Sequence, residues 1–133
     1  MDWPALQDKV KTKSTQIFSM GWIADYPDPE NFMQLFYSKN ISPGPNNFNY
    51  GNPTFDALYE KAKAMPDSPE RVQLYRDMER IVQEDCPAVF LVHGVAFVLH
   101  YDWLKNYKPH VFGYGMLKYQ KIDLPTRRKA VGR

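Results

Sequence analysis

The stretch Gly21–Asn40, GWIADYPDPENFMQLFYSKN, decides how this chain is read. It sets Trp22, Asp25, Tyr26, Asp28 and Glu30 around two prolines, directly after the β-prone run TQIFSMGW (Thr15–Trp22). Acids and aromatics crowded beside Gly and Pro suit four arrangements: a catalytic carboxylate pair, a metal site, a cation-binding pocket, or the start of a helix. Asp28 and Glu30 already have a structural task. Asp28 precedes Pro29, so its side chain is placed to accept from an orphan amide, and proline has no N–H to leave unsatisfied. Glu30 falls in the first turn, where negative charge favours the helix dipole. Asp25 has no part in that capping. It follows an expected strand end, where ligand-contacting residues concentrate.

The same cap-then-proline device recurs at Asn52-Pro53 and Ser68-Pro69, so helices are predicted to begin near 29, 53 and 69. The first is short and carries Phe32, Met33, Leu35 and Phe36. In the second, Phe55, Leu58, Tyr59 and Ala62 fall at i, i+3, i+4 and i+7, one apolar face, and Pro66 forces an end by Met65. The third runs to about Asp85, with Leu74, Met78, Ile81 and Val82 as its inner stripe, Tyr75 flanking it and Pro87 closing it. The short link around Pro66-Asp67 predicts a helical hairpin. A further short helix is expected near the N-terminus, with Trp3, Leu6 and Val10 on one side. Strands are expected at Thr15–Trp22, Ala88–Gly94, Val95–Tyr101 and Tyr114–Ile122, the middle two as apolar runs buried on both faces. Ser38–Pro53 reads as a long Pro-, Gly- and Asn-rich loop.

Composition sets the bounds. At 133 residues the chain is one domain's worth, and 44% hydrophobic residues allow it to bury a core. Aromatics at 15% supply either core or stacking surface. Charge is uneven. From Lys118 onward six basic residues face one acid, a local +5, which leaves −3 on residues 1–117 of the total +2. No aromatic follows Tyr119, so this tail reads as a solvated terminus rather than a nucleic-acid surface. The single cysteine, Cys86, excludes an internal disulfide and reads as a packing residue. His93, His100 and His110 lack the companion cysteines or spaced acids of a tetrahedral metal set. No phosphate loop, nucleophile elbow or zinc motif is present, and no cofactor is expected. No apolar run reaches membrane-spanning length, and no signal-peptide pattern stands at the N-terminus.

The string GWIADYPDPENFMQLFYSKN, the Pro/Asn-rich loop after it, NYGNPTFDALYEKAKA, and DSPERVQLYRDMERIVQEDCPAVFLVHG together resemble a known family. They look like the C-terminal portion of the extracellular solute-binding proteins of the oligopeptide/dipeptide/nickel class, which deliver ligands to ABC importers. The resemblance covers about residues 3–123. It implies an α/β chain that is a fragment of a two-lobed, periplasmic-binding-protein-like (type II) fold, with a small mixed sheet and three to four helices. Residues 1–106 would be the C-terminal part of the second lobe, and residues 107–133 the return toward the first lobe with a basic tail. The intact parent would be periplasmic or on the cell surface, as a lipoprotein in some cases. Its partners would be a peptide or small-molecule ligand and the importer's membrane subunits, with no nucleic acid.

The resemblance also implies a site. Gly21, Trp22, Ile23, Ala24, Asp25 and Tyr26 would line the cleft, their backbone pairing with an extended peptide as an added strand. Asp25 would hold the peptide's α-ammonium, and Trp22 would offer an apolar wall or a cation–π face, unless it is a core tryptophan. Two other readings stand beside this one. The chain could be a free-standing interaction domain presenting strand edges, or a carboxylate-dependent hydrolase using Asp25 and Asp28. A chain cut from a larger core is also expected to self-associate, through unpaired strand edges and apolar faces.

Overall fold

A computed structural model describes residues 1–110, 113 and 115–132. The chain is mixed α/β and divides into two compact units, Met1–Phe90 and Leu91–Arg133.

The first unit is helical. Helix α1 (Trp3–Lys11) starts at Asp2, whose carboxylate accepts from the Ala5 amide at 3.1 Å. Helix α2 (Glu30–Met33) continues as a 3-10 turn over Gln34–Phe36. Helices α3 (Pro53–Lys63) and α4 (Pro69–Asp85) follow, both opened as the sequence predicts. Asn52 accepts from the amides of Thr54 and Phe55 at 2.9 and 3.2 Å, and Ser68 from that of Arg71 at 3.2 Å. Helix α4 stops at Cys86, which adopts a left-handed conformation (φ 47°) ahead of Pro87. The Cys86 side chain is exposed, so it is not the packing residue expected.

The core lies where α3 and α4 meet the turn after α2. Phe55, Tyr59, Ala62 and Met78 are fully or almost fully buried, joined by Leu35, Phe36, Tyr37, Tyr75 and Val82. Full burial of each large apolar side chain is worth about 2–3 kcal/mol. The inner stripe of α4 is Arg71, Tyr75, Met78 and Val82, rotated from the predicted one, and Leu74 and Ile81 are only partly buried against it. Tyr75 is therefore part of the stripe and not its flank. The long loop is ordered by fully buried Asn46, whose side-chain amide donates to the carbonyls of Tyr37 and Tyr50 at 3.0 and 2.8 Å. Gly44 is required there, since a Cβ would stand 2.5 Å from the Asn40 carbonyl oxygen.

Three expected strands are absent. Thr15–Trp22, Ala88–Gly94 and Val95–Tyr101 belong to no sheet. The latter two were expected to be buried on both faces, but Val92 is 88% and Leu99 96% exposed. A strand is defined by its neighbours, and no described residue pairs with these runs. Instead of a small mixed sheet, the described residues of the second unit carry one antiparallel ladder. In it β1 (Leu104–Lys105) pairs with β2 (Lys121–Ile122), Leu104 opposite Ile122. Strand β2 and a 3-10 turn at Met116–Tyr119 occupy the last expected strand, whose first residue, Tyr114, lies outside the described residues. Helix α5 (Leu124–Val131) forms where only a solvated tail was expected. Its signal was the familiar one: Asp123 accepts from the Thr126 amide, and Pro125 sits in the first turn. That makes five helices among the described residues, against three to four expected.

Candidate functional site

Asn31, in the first turn of α2, is completely buried and organises the quoted stretch. Its Oδ1 accepts from the Trp22 indole Nε1 at 2.7 Å and from the Asp25 backbone amide at 3.2 Å. Its Nδ2 donates to Asp25 Oδ2 at 3.4 Å. One amide thus fixes a ring, a peptide group and a carboxylate that are six to nine residues away in sequence. A buried amide left unpartnered would be costly, so all three bonds are expected to persist together. Asp25 remains exposed, and no described residue donates to its Oδ1.

The next acids are spoken for. Asp28 Oδ1 accepts from the Glu30 amide at 2.8 Å, but α2 starts one residue later than expected, with Pro29 and not Asp28 at its cap position and no side-chain cap bond. Asp28 also faces a partner that the sequence reading missed, the 7%-exposed Arg71. The guanidinium reaches Asp28 through Nη1 at 2.9 Å and Nη2 at 3.0 Å, a bidentate pair. Its Nε donates to the Ala62 carbonyl at 2.9 Å, and its plane lies 4.8 Å from the Tyr75 ring centre. Burial pushes the Asp28 carboxyl up, but Arg71, the Glu30 amide and the Tyr75 hydroxyl outweigh it and hold it below its usual value. Burial, followed by the nearby Asp28 charge, pushes the Tyr75 phenol up to about 12. Glu30 accepts from the hydroxyls of Tyr26 and Tyr59. The hydrogen bond to Glu30, with a smaller contribution from burial, raises the Tyr26 phenol above its usual value.

All six predicted site residues are therefore located. Gly21, Trp22, Ile23, Ala24 and Asp25 form an irregular segment rather than a strand end, with Ile23 exposed outward. Trp22 is 39% exposed with one edge tied to Asn31, so it is not a core residue. The Tyr26 hydroxyl donates to Glu30. A hollow of about 50 Å³ adjoins Gly21 and Trp22, lined also by Phe18, Met20, Leu35 and Phe48. It is well below the roughly 150 Å³ that a cavity needs to hold a benzene-sized group. Asp28, the second acid of the hydrolase reading, has both of its oxygens engaged by Arg71. Among the described residues no three metal-binding side chains cluster, and His93 and His100 are exposed.

Asn31 and Arg71 are the residues that sequence reasoning passed over. Arg71 had a signal, since positions 71, 75, 78 and 82 are one helical stripe and a charge within it must find a partner. Asn31 had none beyond being a polar residue among apolar ones.

Comparison with known proteins places this architecture. The chain is 34% identical over 86 residues to the oligopeptide-binding protein OppA of Bacillus subtilis, a match covering 65% of this chain and 15% of that protein. It is 31% identical over 123 residues to heme-binding protein A of Haemophilus influenzae, covering 92% of this chain and 22% of the relative. The probable di/tripeptide-binding protein 5 of Pseudomonas aeruginosa is 28% identical over 114 residues, 85% of this chain and 22% of its own length. No family model matches the chain. These relatives define the class: the chain is related to peptide- and heme-binding proteins. More narrowly, it is a relative of the oligopeptide/dipeptide class of solute-binding proteins, as the sequence resemblance implied. The chain spans about a fifth of the length of the curated relatives it matches. No helix among the described residues is long and apolar enough to cross a membrane.

Proposed function

We propose that this chain is a ligand-binding part of a solute-binding protein serving an ABC importer, and that its ligands are peptides. Gly21–Tyr26 lines the cleft, and Asp25 holds the ligand's α-ammonium. In this reading residues 1–106 belong to the second lobe of a type II fold, and residues 107–133 return toward the first. The parent works in the periplasm or at the cell surface, where it hands ligand to the importer's membrane subunits. The observation that carries the reading is the Asn31 clasp. It holds Asp25 in a defined position while its carboxylate stays open to solvent. A fixed carboxylate in a closing, low-dielectric cleft binds a cation through a charge-assisted hydrogen bond. The names of the relatives, peptide-binding for most, agree with a peptide ligand.

Calorimetry on the intact binding protein tests this. Asp25→Asn is expected to cost about 2–5 kcal/mol in peptide affinity, the scale for removing one side of a buried charge pair. N-acetylated peptides should lose a similar amount in the wild type. Equal affinities across these comparisons would overturn the assignment.

One observation favours a second reading. Leu91, Val92, Val95, Phe97 and Leu99 are all strongly exposed. A patch of that kind marks an interaction surface. In the main reading the patch is covered by the rest of the parent. In the second, the chain stands alone and a protein partner covers it.

A further inference from the structure

We propose that the face built by helix α5 and the β1–β2 ladder docks on an anionic lipid surface. By sequence, residues 91–133 hold eight basic and two acidic side chains, a local +6, which leaves −4 on residues 1–90 of the total +2. The fold then concentrates that positive charge. Lys105 stands directly opposite Lys121 in the ladder. Like charges so placed repel each other and cost stability, unless an anion lies across them. Directly after β2, helix α5 brings Arg127, Arg128 and Lys129. None of these five side chains forms an ion pair among the described residues. The acid beside them, Asp123, is occupied in capping α5, where it accepts from the Thr126 amide and hydroxyl.

The helix itself lacks a structural reason to stand alone. It is eight residues long and none of them is buried. Isolated helices of that length are marginal in water, and most are held by an apolar face packed on a neighbour. Arg128 and Lys129 suit the negative end of the helix dipole, but Arg127, Lys105 and Lys121 do not lie there. The spacing along α5 then selects the occupant. Leu124, Arg127, Arg128 and Val131 fall at i, i+3, i+4 and i+7, so two guanidiniums sit between two apolar side chains on one stripe. Leu124, Val131 and the adjacent Ile122 are each about half exposed. A polyanion in water would answer the charge alone. A bilayer interface answers both halves of the pattern. Lipid phosphates take the guanidiniums as forks, and the apolar side chains enter the boundary between headgroups and chains. Long basic side chains bury their stems and keep their heads at headgroup level, so the two kinds of residue can share one stripe.

The test is flotation of the 133-residue chain with vesicles in a density gradient, where bound protein rises and self-associated protein sinks. Vesicles of phosphatidylcholine alone are compared with vesicles in which a third of the lipid is phosphatidylglycerol. The chain is expected to rise with the anionic vesicles at about 0.1 M salt and to stay behind with phosphatidylcholine. Each basic residue near an anionic surface is worth about fivefold in affinity, so Arg127→Gln, Arg128→Gln and Lys129→Gln together should weaken binding about a hundredfold. These substitutions remove no buried contact, so the fold is kept. Leu124→Ser with Val131→Ser keeps every charge and should weaken binding about tenfold. Unchanged affinity in that variant would mean adsorption by charge alone and would overturn the assignment of the stripe. Phe97→Ser with Leu99→Ser should float as the wild type does. Loss of flotation there, with the glutamine variant unaffected, would move the contact to the exposed apolar run and overturn the proposal. Equal flotation on both vesicle types overturns it as well. So does a chain that stays at the bottom with either vesicle, as a salt-sensitive oligomer that the glutamine variant disperses, for then the face pairs with acids of a second copy.

Discussion

Replacing Arg71 by methionine should destabilise the first unit by about 3–4 kcal/mol. Methionine keeps most of the buried stem and removes only the polar head. Breaking a buried ion pair from one side costs about 3–5 kcal/mol, because the remaining charge loses its partner. Here the lower end applies, since the Asp28 side chain is 29% exposed and still accepts from the Glu30 amide. Loss of the Nε bond to the Ala62 carbonyl adds about 1 kcal/mol. The contact with Asp67 adds nothing measurable, since that side chain is 97% exposed. Asp28→Asn should be milder, about 2 kcal/mol, because its amide oxygen can still accept while the guanidinium keeps the Ala62 carbonyl. Urea unfolding followed by far-ultraviolet circular dichroism reads all three variants, the two singles and the double. The double mutant should fall short of the sum by about 2 kcal/mol, since both changes remove the same pair. A cost below about 1 kcal/mol for Arg71→Met, with additive behaviour in the double, would refute the claim that this pair fastens the site segment to α4.

Two further outcomes follow from the same contacts. The Asp28 carboxyl is held below its unfolded value, so the ion pair's contribution is fully present above about pH 4 and is lost as pH falls through the lower folded value. Urea midpoints measured from pH 6 to pH 2 should therefore drop below about pH 4, and drop less in Asp28→Asn; identical acid profiles would contradict the assignment. The isolated chain should self-associate through its exposed apolar run, and Phe97→Asp with Leu99→Asp should reduce this in light scattering across dilution. A stable wild-type monomer that binds no hydrophobic dye would count against it.

The sequence carried the helices well and the strands poorly, for one physical reason. A helix closes its hydrogen bonds locally, so Asn52-Pro53 and Ser68-Pro69 announce their helices with no knowledge of the rest. The Phe55, Tyr59, Ala62 face was legible because it repeats at helical spacing. Strand formation depends on a neighbour that the run itself does not encode. Ala88–Tyr101 has the composition of buried strands but finds no partner among the described residues. The site divides in the same way. Asp25 stood out because capping did not use it. Arg71 and Asp28 are 43 residues apart, and their pairing is a product of the fold. Asn31 looked like an ordinary helix residue until burial showed that three polar groups converge on it.

The central claim is that Gly21–Tyr26 touches the ligand through the Asp25 carboxylate. The most direct measurement is photo-crosslinking with a dipeptide that has a free amine and carries a diazirine on its first side chain, followed by mass mapping of the labelled residues. Label should concentrate within Gly21–Tyr26, fall in Asp25→Asn, and be displaced by an unlabelled dipeptide but not by its N-acetylated form. Label concentrated on Val89–Tyr101, equal in wild type and Asp25→Asn and indifferent to the free amine, would contradict the account.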